Sequence, residues 1–355
     1  MNSKKAQVSV TFNWIYILIA GGIILLFFVG IIVKQKSISE DKLSSDVLNS
    51  LESIFTSAGV SEKTRNYVDM GGLAEQELYF ECEEGVTEYG IEGKGVRIQN
   101  AMDPIFAPKN IKAPRMILWS LPYKMPFRVM NFLFVSSSNT KYSLLGTDQF
   151  VIEFLNATDD RDPQLRINRE LVSSLDEIDP GKNYHLRVVD FDGLNIPGKP
   201  IPETLANLND EKISAVVFNG LDVSYYAKEG NKWVKEGETV TLVSLSGERQ
   251  AAKYAAIFSG DGSSYMCNIK KALKRLSYLD EIYLAKMAEM KEVYAPQHPC
   301  YLQLIGDKSV DTSLDIHSVA VGLCQTGSCK KLVEAANDLR LANNQLRLAS
   351  CISLY

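Results

Sequence analysis

Histidine is scarce in this chain. Its 355 residues hold three, His185, His298 and His317, too few for a histidine-rich metal centre or an imidazole proton relay. Positive charge is not in excess either: 38 Lys and Arg stand against 43 Asp and Glu, giving a formal net charge of -5 and a pI near 5.5. That balance argues against nucleic acid as a partner, because phosphate binding needs a concentrated surplus of cations. Catalytic framing is missing too. Ser136-Ser137-Ser138 and Ser263-Ser264 lack a G-x-S-x-G setting and read as turn and cap residues. Gly93-Lys94-Gly95 lacks the third glycine of a dinucleotide loop, and Asp159-Asp160-Arg161-Asp162 lacks the closing Glu of a calcium loop. The chain therefore reads as a non-enzyme without a cofactor. A hydrophobic share of 46% and a charged share of 23% exclude a largely disordered chain.

One feature dominates what is there. Residues 12–33 read FNWIYILIAGGIILLFFVGIIV and carry no charge. At roughly 1.5 Å per residue this run of about 22 residues reaches about 33 Å, enough to cross a bilayer core. It exceeds the apolar core of a secretory signal and is followed by no small-x-small cleavage site, so the sequence predicts a retained single-pass anchor. Trp14 and Tyr16 suit the lipid–water interface. The flanking lysines, Lys4 and Lys5 before and Lys34, Lys36 and Lys42 after, lean against an outside C-terminal domain. Two features favour the outside: six cysteines, an even number able to pair in an oxidising space, and the sequon Asn156-Ala157-Thr158, a candidate glycosylation site that also arises by chance. The expectation is a cell-membrane protein with the bulk of its chain extracytoplasmic.

Lys4-Lys5-Ala6-Gln7-Val8-Ser9-Val10, running straight into the apolar segment, resembles the class III signal of archaeal type IV pilin-like proteins. The resemblance covers about the first tenth of the chain. It implies a leader cut between Ala6 and Gln7 that leaves the helix attached, and an N-terminal helix able to self-associate or join envelope or filament subunits. Many members carry Glu five residues into the mature chain, a residue linked to subunit registration; Thr11 stands there instead. The other reading of the same residues is an ordinary uncleaved anchor with a basic start.

Beyond the membrane segment, Ile38, Leu43, Val47, Leu48, Leu51, Ile54 and Phe55 recur at helical spacing. With no proline in residues 12–57, a single rod of about 47 residues, roughly 70 Å long, is predicted, ending near Gly59. The expected organisation is a basic leader at 1–11, a transmembrane helix at 12–33, an amphipathic stalk at 34–58, a β-rich segment at 59–124, an α/β domain at 125–262 and a helical hairpin cap at 263–355. Strands are expected at 127–135, 150–155, 184–191, 213–218, 239–243 and 254–258, with helices at 163–175 and 202–208. Such alternation makes the fold class mixed α/β with a mainly parallel sheet, and Glu229-Gly230-Asn231-Lys232 marks a hairpin at an antiparallel edge. Helices at 264–293 and 329–350 form the expected hairpin. The second bears Leu332, Leu339 and Leu346 every seven residues, with Ala335, Ala342 and Ala349 behind them.

An antiparallel hairpin brings Cys267 and Cys351 together, and closing that loop of about 84 residues would contribute roughly 4–5 kcal/mol. Cys324 with Cys329 and Cys82 with Cys300 would remain, or Cys300 with one of the close pair. Reduced thiols, or zinc held by His298, Cys300, His317, Cys324 and Cys329, are the alternatives. Lys270, Lys271, Lys274 and Arg275 read as a solvated basic face. Two roles follow: a structural or adhesive surface protein, or an anchored receptor that takes a small ligand at the carboxyl ends of the sheet strands. An ectoenzyme, most plausibly a hydrolase, is disfavoured by the missing acid–base motifs.

Overall fold

A computed structural model of the chain describes residues 4–60, 65–181, 185–245 and 250–355, with backbone alone at residues 4–13, 15, 37, 38, 40 and 60. The side chains of Ala6 and Gln7, the expected leader junction, thus lie outside the described residues. Helix α1 runs unbroken over Lys4–Val60. Among the described residues it is the one helix long and apolar enough to cross a membrane, and its apolar window is entirely bare. Further along, Ser44, Val47, Leu48, Leu51, Phe55 and Ala58 are buried. Their three- and four-residue steps make one stripe, as the sequence predicts.

After α1 the chain makes β1 (Arg65–Asp69), β2 (Leu78–Glu83), β3 (Val86–Ile91), β4 (Arg97–Asn100), β5 (Ile105–Phe106), β6 (Asn110–Ile111), β7 (Arg115–Lys124) and β8 (Arg128–Ser137). These form two four-stranded sheets, ordered β1-β7-β8-β5 and β4-β3-β2-β6. The boundary expected at 124/125 falls inside the β7–β8 hairpin. Side chains on this hairpin alternate between two cores. Met116, Leu118, Leu133 and Val135 join the α1 stripe, while Ile117, Trp119, Phe132 and Phe134 face the opposite side. That is the period of two expected of a sheet covered on both faces.

The chain continues through β9 (Thr140–Leu145), α2 (Gln149–Ala157), β10 (Asn168–Leu171), β11 (His185–Asp190), α3 (Glu203–Ala206), β12 (Ile213–Asn219), β13 (Asp222–Glu229) and β14 (Lys232–Thr241). The third sheet is ordered β10-β9-β11-β12-β13-β14, parallel from β10 to β12 and antiparallel beyond. A mainly parallel sheet with a hairpin at Glu229 to Lys232 is what the sequence led us to expect. Several local expectations fail. Residues 150–155 and 254–258 are helical, within α2 and α4 (Ala251–Phe258), and residues 163–175 hold β10 instead of a helix. Asp148 caps α2 by accepting the Phe150 N–H at 2.8 Å, and Phe150, Val151 and Phe154 then share one buried face. Alanines in α4 let Tyr254 and Phe258 press against Trp119 and Phe134, with Trp119–Tyr254 ring centroids 4.8 Å apart. Tertiary packing overrides strand propensity at both places.

The C-terminal third is α5 (Gly262–Val293), α6 (Pro299–Leu304), α7 (Val310–Thr326) and α8 (Lys330–Leu348). Both expected helices are present, but α7 lies between them and packs on each, so the expected two-helix hairpin becomes a three-helix layer. Leu332, Leu339, Leu346, Ala335 and Ala342 are buried as the heptad pattern requires; Ala349 is the exposed C-cap of α8. The intervening helix also changes the cysteine pairing. The bonds are Cys82–Cys267, Cys300–Cys351 and Cys324–Cys329. Of the expected pairs only Cys324–Cys329 forms. Cys267 is instead used to fasten α5 to β2, and Cys351 closes back on α6.

Candidate functional site

The sheet strands end differently at their two edges. At the carboxyl end of β11, Asp190 is fully buried and its carboxylate accepts from the N–H groups of Gly193, Asn195 and Ile196 and from the Asn195 amide, at 2.7–3.2 Å. The sequence reading places a ligand at this end of the strands, and the structure holds a cavity at the other end. A cavity of about 420 Å³ sits at the amino ends of β9, β11 and β12, walled by Thr140, His185, Arg187 and Ser214 and closed by Lys109, Lys112, Lys212, Glu77 and Glu236.

Arg187 is the innermost charge of this cavity, 6% exposed. Its Nε donates to the Ile257 carbonyl at 3.3 Å, Nη1 to Ser214 Oγ at 3.0 Å and Nη2 to the Ser259 carbonyl at 2.6 Å. The guanidinium lies 5.3 Å from the Tyr225 ring centroid, whose hydroxyl is tied to the Ala256 carbonyl. Every partner is a dipole or a ring, and among the described residues no carboxylate lies within ion-pair distance. Burial pushes its pKa down, yet a guanidinium stays charged at any physiological pH. Burial also lowers the His185 pKa, helped by the Lys212 charge and opposed by Glu77, which keeps the imidazole neutral near pH 7. Lys109 differs. Burial works against its ammonium, but the hydrogen bond and charge of Asp261, 2.9 Å away, outweigh this and raise its pKa.

Of the candidates singled out in the sequence, Ser137 lies in the cavity wall and the others are elsewhere. Ser136 shares a hydrogen bond with Tyr142 and Ser137 with Thr140, while Asp261 caps α5 through the Ser264 N–H. Asp160 binds Arg65, and Asp159 faces Arg166 and Arg169, so the acidic turn is tied down by arginines. Asn156 is exposed in the last turn of α2, and the Thr158 hydroxyl of its sequon is buried and donates to the Phe154 carbonyl at 2.6 Å. The zinc alternative fails because its three cysteines are in disulfides, His298 caps α6 and His317 meets Asp280 at 3.0 Å. Among the described residues no cluster suited to a metal is found.

Lys271 corrects another expectation. Far from solvated, it is buried, and its ammonium donates to Thr87 Oγ1 at 2.6 Å and to the Asn100 and Asp103 carbonyls, each at 2.9 Å. It stitches α5 to β3 and to the connection before β5, beside Cys82–Cys267. Lys270, Lys274 and Arg275 are exposed. Compared with family models, curated proteins and solved structures, the chain matches none.

Proposed function

We propose that this chain is a membrane-anchored, pilin-like surface protein of the archaeal kind, with a structural or adhesive role and its disulfide-bearing ectodomain outside the cell. One observation carries the reading. A single helix leaves its apolar first half bare and buries a stripe of its second half in the folded domain. In water, the exposed Ile17 to Val33 surface would be a large aggregation liability, whereas lipid covers it at no cost. Three disulfides that leave no free cysteine suit an oxidising compartment. The resemblance around Ala6 and Gln7 supports a cleaved leader on the cytoplasmic side, and partners would be the bilayer and other subunits meeting the apolar helix.

The test is intact-mass analysis of native protein extracted from membranes, with and without reduction, joined to protease treatment of whole cells. The expected results are a chain beginning at Gln7, a gain of two hydrogens per reduced bridge, and digestion of the ectodomain from outside. Recovery in a detergent-free soluble fraction with free thiols would refute the anchored, exported reading. An uncut N-terminus on an otherwise anchored protein would refute the pilin-like part alone.

A further inference from the structure

We propose that the cavity at the amino ends of β9, β11 and β12 binds a small solute through its carboxylate or phosphate group, with Arg187 as the inner anchor and Lys212 as a second cation. The inference stands apart from the anchor, since it uses neither α1 nor the side of the membrane.

A guanidinium taken out of water without a countercharge carries a desolvation penalty that dipoles offset only in part. Arg187 offers five N–H donors, and its three hydrogen bonds leave two of them without an acceptor among the described residues. The acids of the neighbourhood are mostly engaged elsewhere. Lys109 holds Asp261 at 2.9 Å and Glu236 at 3.8 Å, and Asp210 is bound by Lys228 and the Gly230 N–H. Among the described residues Glu77, beside His185, and the exposed Glu211 have no ion pair, and neither bonds Arg187. Lys212 is half-buried in the same wall, also without an ion pair among the described residues. An anion entering the cavity would complete the Arg187 fork, which presents parallel N–H groups suited to two oxygens of one carboxylate or phosphate. The hydroxyl groups of Ser137, Thr140 and Tyr142 in the wall favour a polar remainder over an aliphatic one.

A purely structural role for Arg187 exists: the Ile257 and Ser259 carbonyls end α4, and a cation there caps the helix. Capping accounts for two of the bonds. It does not account for a cavity of about 420 Å³ opening onto the same side chain with a second unpaired cation in its wall.

The experiment is calorimetric titration of the detergent-solubilised full chain with inorganic phosphate, with glucuronate, and with glucose as the neutral control. Saturable binding of phosphate or glucuronate, but not glucose, is expected, and whichever anion binds more tightly identifies the head group. Arg187→Lys keeps the charge but loses the fork, and should weaken binding by about tenfold or more. Should that variant fail to fold, Lys212→Ala, which removes a partly exposed side chain, should weaken binding by about two- to fivefold with an unchanged melting temperature. No saturable binding of either anion, equal binding of glucose, or wild-type affinity in a folded Lys212→Ala or Arg187→Lys protein would each overturn the proposal.

Discussion

Lys271 gives the sharpest test of how the C-terminal helices are fixed to the β layer. Its Nζ faces three acceptors, and the Thr87 hydroxyl cannot reciprocate because its own hydrogen is committed to Asn268 Oδ1 at 3.0 Å. Three acceptors require three donors, so the geometry is that of an ammonium. Burial opposes it: desolvation pulls the pKa from 10.5 down to about 7, with the Asp103 charge resisting. In the unfolded chain the amine keeps its ordinary value. Between the two values the unfolded state holds a proton that the folded state releases, so stability rises with pH through that window and falls as pH drops toward 7. One pKa unit corresponds to about 1.4 kcal/mol, so raising the pH from about 7 to about 9 should stabilise the fold by up to about 2.7 kcal/mol through this residue alone. The assay is urea unfolding of the full chain in detergent, disulfides intact, followed by tryptophan fluorescence across this range. Lys271→Met serves as the reference, because it fills the space, removes the titration and leaves every other group in place. The stability of the parent relative to the variant should grow with pH. Parallel pH profiles would refute the reasoning, since they would mean that the acceptors hold the ammonium as firmly as water does.

Three further outcomes follow from the packing. Phe55→Ala, which empties a fully buried site in the α1 stripe, should cost about 3–5 kcal/mol in the same unfolding assay, whereas Ile24→Ala on the bare apolar half should leave it unchanged. Replacing both cysteines of Cys82–Cys267 by serine should destabilise by about 5 kcal/mol against about 2 kcal/mol for Cys324–Cys329, since the chain separations are 185 and 5 residues; equal midpoint shifts would contradict the loop argument. His317→Leu strands the fully buried Asp280 carboxylate and should cost about 3–5 kcal/mol, while adding Asp280→Leu should restore much of the loss. A double-mutant cycle measures that coupling.

The sequence was most legible where one periodicity covered a long stretch. The apolar run, the α1 stripe and the α8 heptads each repeat a pattern over several turns, and each appears in the fold. It was least legible where neighbours decide. Phe150, Val151 and Tyr254 have strand-forming side chains, and only the aromatic cluster around Trp119 makes them helical. Strand β7 contains Pro122, which argues against a central strand. In the fold β1 pairs with Arg115 to Trp119, and among the described residues Pro122 has a ladder partner only in β8, at Asn131. Helix α7 hides behind β-branched residues and Gly322, although Ser309 caps it and Leu314, His317, Val321 and Cys324 keep helical spacing. The cavity left one trace: Arg187 sits inside a strand flanked by two others, where a buried charge calls for a specific reason, as Asp190 at the end of the same strand has in its N–H donors. Lys271 left another, four residues after Cys267 and therefore on the same helical face.

If α1 is held in lipid as proposed, the bonding pattern fixes how load reaches the rest of the ectodomain. The stripe from Val47 to Ala58 rests on the β1-β7-β8-β5 sheet and on β2 and β3 through one continuous core. Cys82 in β2 passes that attachment covalently to Cys267 in the first turns of α5, and Lys271 repeats it one turn later. Helix α5 carries α7, α7 carries α8, and Cys300–Cys351 ties the end of the chain back to α6. The C-terminal helices are remote from the anchor in sequence but separated from it by only one covalent cross-link and one core. Reduction should therefore weaken the attachment of α5 and leave that of α1 unchanged. Helix α1 holds no cysteine and is retained by its buried stripe and the Asn131 hydrogen bonds to the Ala58 and Gly59 carbonyls, whereas α5 loses its covalent link and keeps Lys271 and its core contacts.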